Sequence, residues 1–265
     1  MKSQNIFERY EIKYIVTDAQ RDAILRETAA HLKGDQYGQS TICNLYYDVP
    51  SYTLIRRSLE KPAYKEKLRV RSYGVARPDS KVFVELKKKA YGIVYKRRVS
   101  LPEREAMFYL GSDAMGGLPG QIGREIDYFR GFYEGLAPKM FISYEREAFY
   151  DTDDDSFRVT FDRHILWRTD DLSLTKGAYG REVLPAGYSL MELKVGAAMP
   201  LWMVSVLSRH RIYQTSFSKY GKAYQDMTAL SGQPVYCYHT LPRKDVSTGQ
   251  YEKRRALVNH AAAVL

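Results

Sequence analysis

Lys67-Leu-Arg-Val-Arg-Ser-Tyr73 alternates basic and apolar side chains from Lys67 to Arg71. Side chains alternate faces along a strand, so Leu68 and Val70 share one side while Lys67, Arg69 and Arg71 share the other. Taken alone, this is an antiparallel strand with one apolar face for a core and one basic face, which ordinarily meets water.

The same pattern recurs along the chain. In Arg9 to Tyr14, Tyr10, Ile12 and Tyr14 oppose Arg9, Glu11 and Lys13. In Val82 to Lys87, Val82, Val84 and Leu86 oppose Phe83, Glu85 and Lys87. A turn at Ala90-Tyr-Gly92 then leads into a hairpin partner, Ile93 to Leu101. Met140 to Tyr150 sets Ile142, Tyr144 and Arg146 on one face. Phe157, Val159 and Phe161 oppose Arg158, Thr160 and Asp162, and Met191, Leu193 and Val195 oppose Glu192 and Lys194. Thr41 to Asp48 is a further strand, and 163–180 reads as a polar connection with room for an irregular strand.

Helical signals fall between the strands. Thr17 or Asp18 caps a helix that Gly34 ends, and Pro50 and Pro102 open two more. Arg124 to Leu136, Trp202 to Ile212 and Lys219 to Leu230 complete the set, with 111–123 as a glycine-rich loop. Two architectures accommodate the charged faces. One is a sheet-plus-helix domain with those faces solvated. The other is a closed antiparallel barrel, with helices over an apolar outside and charges lining a tunnel.

Composition narrows the partner. Of the 265 residues, 45% are hydrophobic, enough for a sizeable core. The net charge is +10, of which residues 233–265, read as a basic tail or appended segment after a 1–232 domain, hold +3. The remaining excess points to an anionic partner. Carboxylates interspersed on the same faces would repel a nucleic-acid backbone, so no stable nucleic-acid complex is expected. Cys43 and Cys237 form neither a metal pair nor a disulfide framework. The N-terminus lacks an apolar signal core, and the longest apolar run, Met199 to Leu207, is too short to span a bilayer; the expectation is a cytoplasmic protein. His31, His164, His210, His239 and His260 lack zinc spacing, and Gly221-Lys222 lacks the rest of a P-loop.

Arg9-x-Glu11-x-Lys13, Arg69-x-Arg71, Glu85-x-Lys87, Tyr144-x-Arg146, Arg158, Glu192-x-Lys194 and Ser218-Lys219 stand in one order along 5–230. That ordered set resembles the vacuolar transporter chaperone (VTC) type of polyphosphate polymerase domain, within the CYTH-like triphosphate tunnel metalloenzymes. The resemblance implies an α+β fold: an antiparallel β-barrel forming a triphosphate tunnel, with helices packed around its outside. It also implies transfer of the γ-phosphate of ATP to a polyphosphate chain with a divalent metal, Mn²⁺ or Mg²⁺. By motif position, Arg69, Arg71, Lys87, Arg146 and Arg158 are the expected catalytic phosphate ligands. Lys13, Lys96, Tyr144, Lys194, Ser218 and Lys219 are expected to bind substrate. Glu192, with Glu11 and Glu85, is expected to hold the metal. Cyclase and thiamine triphosphatase relatives open with Glu-x-Glu-x-Lys, where this chain has Arg9, leaving fewer carboxylates for a second metal. Two alternatives share the same residues: a tripolyphosphatase or nucleoside triphosphatase, and a non-catalytic module binding polyphosphate or nucleic acid.

Overall fold

The alternating segments assemble into one antiparallel sheet in the computed structural model, which describes residues 10–232 apart from 92, 113–116, 119, 155 and 197. Its strands are β1 (Tyr10–Thr17), β2 (Leu32–Asp48), β3 (Tyr64–Tyr73), β4 (Lys81–Ala90), β5 (Ile93–Pro102), β6 (Ala137–Asp151), β7 (Arg158–Arg168), β8 (Arg181–Glu182) and β9 (Tyr188–Val195). They pair in the order β1-β9-β7-β6-β2-β3-β4-β5, with β8 added to β7. The helices are α1 (Asp18–Glu27), α2 (Thr53–Leu59), α3 (Glu103–Gly111), α4 (Gly120–Phe132), α5 (Leu201–Arg209) and α6 (Lys219–Leu230). Arg9 and the 233–265 segment lie outside the described residues.

Several boundaries differ from the sequence reading. Thr17 caps α1 in a capping box with Gln20, but the helix stops well before Gly34. Leu32 to Gly34 pair with Phe149 to Asp151 of β6 instead, which extends β2 by nine residues beyond its expected start at Thr41. Long-range pairing here outweighs local helix propensity. Residues 163–168 continue β7 past a register shift opposite β6, with His164 in the left-handed region at φ 45°. α4 begins at Gly120, inside the expected loop.

The expected closed barrel is corrected by the pairing. Among the described residues β1 pairs only with β9 and β5 only with β4, so the sheet is curled but open. Register shifts in β2–β6 and β6–β7 add bend to the ordinary strand twist. The curl brings Glu11 of β1 within 3.6 Å of Lys87 on β4, near the far end of the strand order. Side-chain charge spans the seam, where backbone bonds would close a barrel.

Helix placement is likewise more specific than an outer coat. α3 and α4 cover the convex face of β2–β4 over Leu45, Leu68, Val70, Val84 and Leu86. α1 and α5 cover Val159, Phe161, Met191 and Leu193. α6, together with Ile55 of α2, packs on the concave face over Ile42, Tyr46, Ile142, Tyr144 and Leu190. Asp48, fully buried, anchors that arrangement: it accepts from the Leu54 and Ile55 amides of α2 and from the Tyr220 hydroxyl of α6.

Candidate active site

The part of the concave face that α2 and α6 leave uncovered carries charge. Two carboxylate centres organise it. Glu85 of β4 is only 1% exposed and receives cations from two flanking strands. Arg69 of β3 donates from Nε at 2.8 Å and from Nη2 at 2.7 Å, and Arg71 approaches to 3.9 Å. From β5, Lys96 lies at 2.8 Å and Arg98 at 2.7 Å. Pairing explains this convergence, because Arg69, Glu85 and Arg98 stand directly opposite one another on three neighbouring strands. Burial would raise the Glu85 carboxyl, but Arg69, Arg71 and Lys96 outweigh it and hold it far below the usual range. Burial draws Lys96 down to about 8 against the pull of Glu85. Arg71 is oriented separately, donating to Asn44 Oδ1 at 2.9 Å and to the Tyr144 hydroxyl at 3.2 Å.

The second centre joins β6, β7, β9 and the first turn of α6. Arg146 grips Asp162 through two bonds of 2.6 and 2.7 Å and reaches Glu192 at 3.2 Å. Lys219 bridges Asp162 at 2.6 Å and Glu192 at 3.2 Å. Lys13 lies 3.4 Å from Glu192 and donates to the Phe217 carbonyl. Burial would raise Glu192; Lys219, Lys13 and Arg146 hold it well below the usual carboxylate range. Tyr144 sits between Arg146 and Lys219, whose charges lie over its ring at 5.2 and 4.6 Å. Ser218 caps α6, accepting from the Gly221 amide at 3.2 Å.

Cations outnumber carboxylates in the cleft. Lys67 has no carboxylate partner among the described residues. Burial and neighbouring Lys87, Arg69 and Lys13 bring it down to about 7, against the opposing pull of Tyr46. Burial would raise the Tyr46 phenol, but Arg69, Lys67 and Arg71 draw it down to about 7. Burial also lowers Lys194, which stands opposite both Glu11 and the exposed Arg158 in register.

The candidate residues therefore fall into two groups. Arg69, Arg71, Lys96 and Glu85 form one cluster, and Arg146, Lys13, Tyr144, Lys219 and Glu192 the other, with the Glu11–Lys87 pair across the seam. Arg158 and Lys194 lie farther along β7 and β9. Sequence reasoning passed over Arg98, Asp162, Lys67 and Tyr46 as site members. Arg98 and Lys67 each lie two residues from a chosen cation on the same strand, so strand period alone marked both.

The donor set limits how a metal would sit. Among the described residues no group of three His, Cys, Asp or Glu is placed to hold one. Both Glu85 oxygens are taken by cations in a nearly sealed position, which does not fit a metal. Glu192 also meets cations through both oxygens, but at 3.2–3.4 Å and with its side chain 11% exposed against 1% for Glu85. A carboxylate has about four lone-pair sites, so of the two Glu192 fits better as a metal ligand.

Known proteins place the chain. The VTC domain model matches residues 8–228. A candidate adenylate cyclase from Bacillus halodurans is 15% identical, with TM-score 0.50 over 78% of this chain and 92% of that one. A second, from Vibrio parahaemolyticus, is 12% identical, with TM-score 0.45 over 83% and 99%. A candidate adenylyl cyclase from Hippeastrum, described as having a dominant triphosphatase activity, is 14% identical, with TM-score 0.47 over 84% and 96%. No curated protein matches the chain. With a family model spanning β1 to α6, the chain belongs to the VTC domain family.

Proposed function

We propose that the protein is a polyphosphate polymerase that moves the γ-phosphate of ATP onto a linear phosphate chain. The observation carrying this reading is the cleft's excess of ordered cations, several held by carboxylates that an incoming phosphate can replace. Arg69, Arg71 and Arg98 on one side and Arg146 and Lys219 on the other are aimed before substrate arrives. Preorganised donors need little rearrangement as charge shifts between phosphates. Guanidinium groups bind phosphoryl oxygens in pairs, while Lys13, Lys87, Lys96 and Lys219 act as point charges.

No protein nucleophile is required, because the acceptor's terminal phosphate attacks in line. The residues' main task is to offset repulsion between two polyanions and align them. The α2–α6 core shields one part of the concave face from water. Glu192, with Glu11 beside it in the paired strand, would hold a divalent metal, which would supply positive charge to offset that of the phosphates. Glu85 serves instead as the counter-charge that positions four cations. Ser218 caps α6 and so places Lys219.

The test is incubation of purified protein with γ-labelled ATP and Mn²⁺, followed by gel separation. Label in long, polyphosphatase-sensitive chains is expected. Label only in orthophosphate would replace this reading with the hydrolase, and tight polyphosphate binding without turnover would replace it with a binding module. Arg69→Ala should lower turnover at least about 100-fold. Glu192→Ala should do the same, and full activity in that variant would remove Glu192 as metal ligand.

A further inference from the structure

Beyond Glu85, the inward-facing positions of β3 and β4 continue as lysines. Lys67, Lys87 and Lys96 stand directly opposite one another on β3, β4 and β5, and Lys65 stands opposite Lys89 one step farther out. Like charges in such positions oppose strand pairing unless an anion lies among them. Within this ladder Lys87 has Glu11 and Lys96 has Glu85. Among the described residues Lys65, Lys67 and Lys89 have no carboxylate partner, and Lys65 makes one bond, to the Ser58 carbonyl at the end of α2. Burial first, then Lys89, Lys87, Lys13 and Lys61, lower the Lys65 ammonium, so those charges converge on one place.

We infer that Lys65 and Lys89, at the mouth beside the end of α2, form an outer anion subsite for phosphates of a linear polyphosphate beyond the three held inside. The inference rests on the cleft being a phosphate site, but not on whether the chemistry there is transfer or hydrolysis. Lys67 and Lys87 connect the outer pair to the Glu85 cluster, so one extended chain of phosphates meets a cation at each step. A free triphosphate, held in the interior, does not engage the outer pair. Chain length, not only triphosphate chemistry, thereby enters recognition. The alternative role of Lys65, closing the end of α2 through Ser58, leaves Lys89 and the across-strand pairing unexplained.

The test compares affinity for tripolyphosphate and for long-chain polyphosphate by titration calorimetry. The proteins are the full chain, Lys65→Gln/Lys89→Gln, and a control, Lys33→Gln/Lys176→Gln, that removes two exposed lysines elsewhere. Wild type and control should favour the long chain, per molecule, by at least about tenfold. The Lys65/Lys89 variant should lose most of that preference while holding tripolyphosphate within about twofold of wild type. Equal losses for both probes, or an unchanged preference, would overturn the outer subsite while leaving the interior site standing. Failure of wild type to bind either probe would overturn the phosphate reading itself, and the subsite with it.

Discussion

Glu85 shows how a single residue sets the state of the cleft. A carboxylate at 1% exposure costs heavily unless paired, and here four cations pair with it. Glu85→Gln should lower stability by about 3–5 kcal/mol, because the cations lose their counter-charge. Tripolyphosphate should restore more stability to that variant than it adds to wild type, since the anion then supplies the missing charge. Thermal melts with and without tripolyphosphate check both statements, and equal shifts would remove Glu85 as counter-charge. The pH signs follow from the same pairs. Glu85 and Glu192 are held below their unfolded value of about 4.3, so their contribution is present above that pH and lost as pH falls through their folded values. Lys67 has the opposite shift. Between about 7 and its unfolded value of about 10.4, the unfolded chain keeps a proton the folded one releases, so by itself Lys67 makes stability rise with pH. An anion selects the ammonium form, so tripolyphosphate affinity should fall as pH rises through neutrality. Lys67→Arg should flatten that dependence in calorimetric titrations on either side of neutrality. Tyr46 contributes with the same sign, because a phenolate repels phosphate, and Tyr46→Phe should remove its share.

At the scale of elements, α6 links packing to charge. Its apolar side, including Tyr220, Ala223 and Tyr224, covers the concave sheet, and its first turn delivers Lys219 to Asp162 and Glu192. Ser218→Ala removes the cap, which is worth about 1 kcal/mol and about 2–4 °C in Tm for a domain of this size. The expected result is that loss with polyphosphate affinity nearly unchanged. A large affinity loss at constant Tm would make Ser218 a direct ligand instead. Lys219→Met tests the other half of the turn. It leaves Asp162 and Glu192 with Arg146 as their shared guanidinium, and should cost about 3–5 kcal/mol as well as phosphate binding.

For the whole molecule, the open sheet is the main structural fact. Among the described residues β1 and β5 end the strand order, and the Glu11–Lys87 pair joins the curled ends through side chains that remain partly exposed. Such a pair contributes at most about 1 kcal/mol, so it does not lock the seam. Backbone amides on the free sides of β1 and β5 should exchange hydrogen faster than paired amides in β2 and β6. Polyphosphate should slow exchange at the edges if the chain draws Lys13 and Lys87 together, as read by exchange mass spectrometry with and without ligand. Unchanged edge exchange alongside tight binding would mean that the cleft is already set at its bound width.

Period-two alternation was enough to show which side of each strand carries charge, because the pleat places successive side chains on opposite faces whatever the fold. It therefore separated Leu68, Val84 and Leu193 from Arg69, Glu85 and Glu192, and the order of those motifs was enough for the family. Alternation could not report that β2 begins at Leu32, since that extension depends on β6, more than a hundred residues away. Nor could it distinguish carboxylates such as Glu85, sealed among cations, from the more open Glu192. Openness of the sheet, and the move of α6 to the concave face, also belong to tertiary structure. Both depend on how register shifts and twist accumulate across the strands, and no single segment carries that sum.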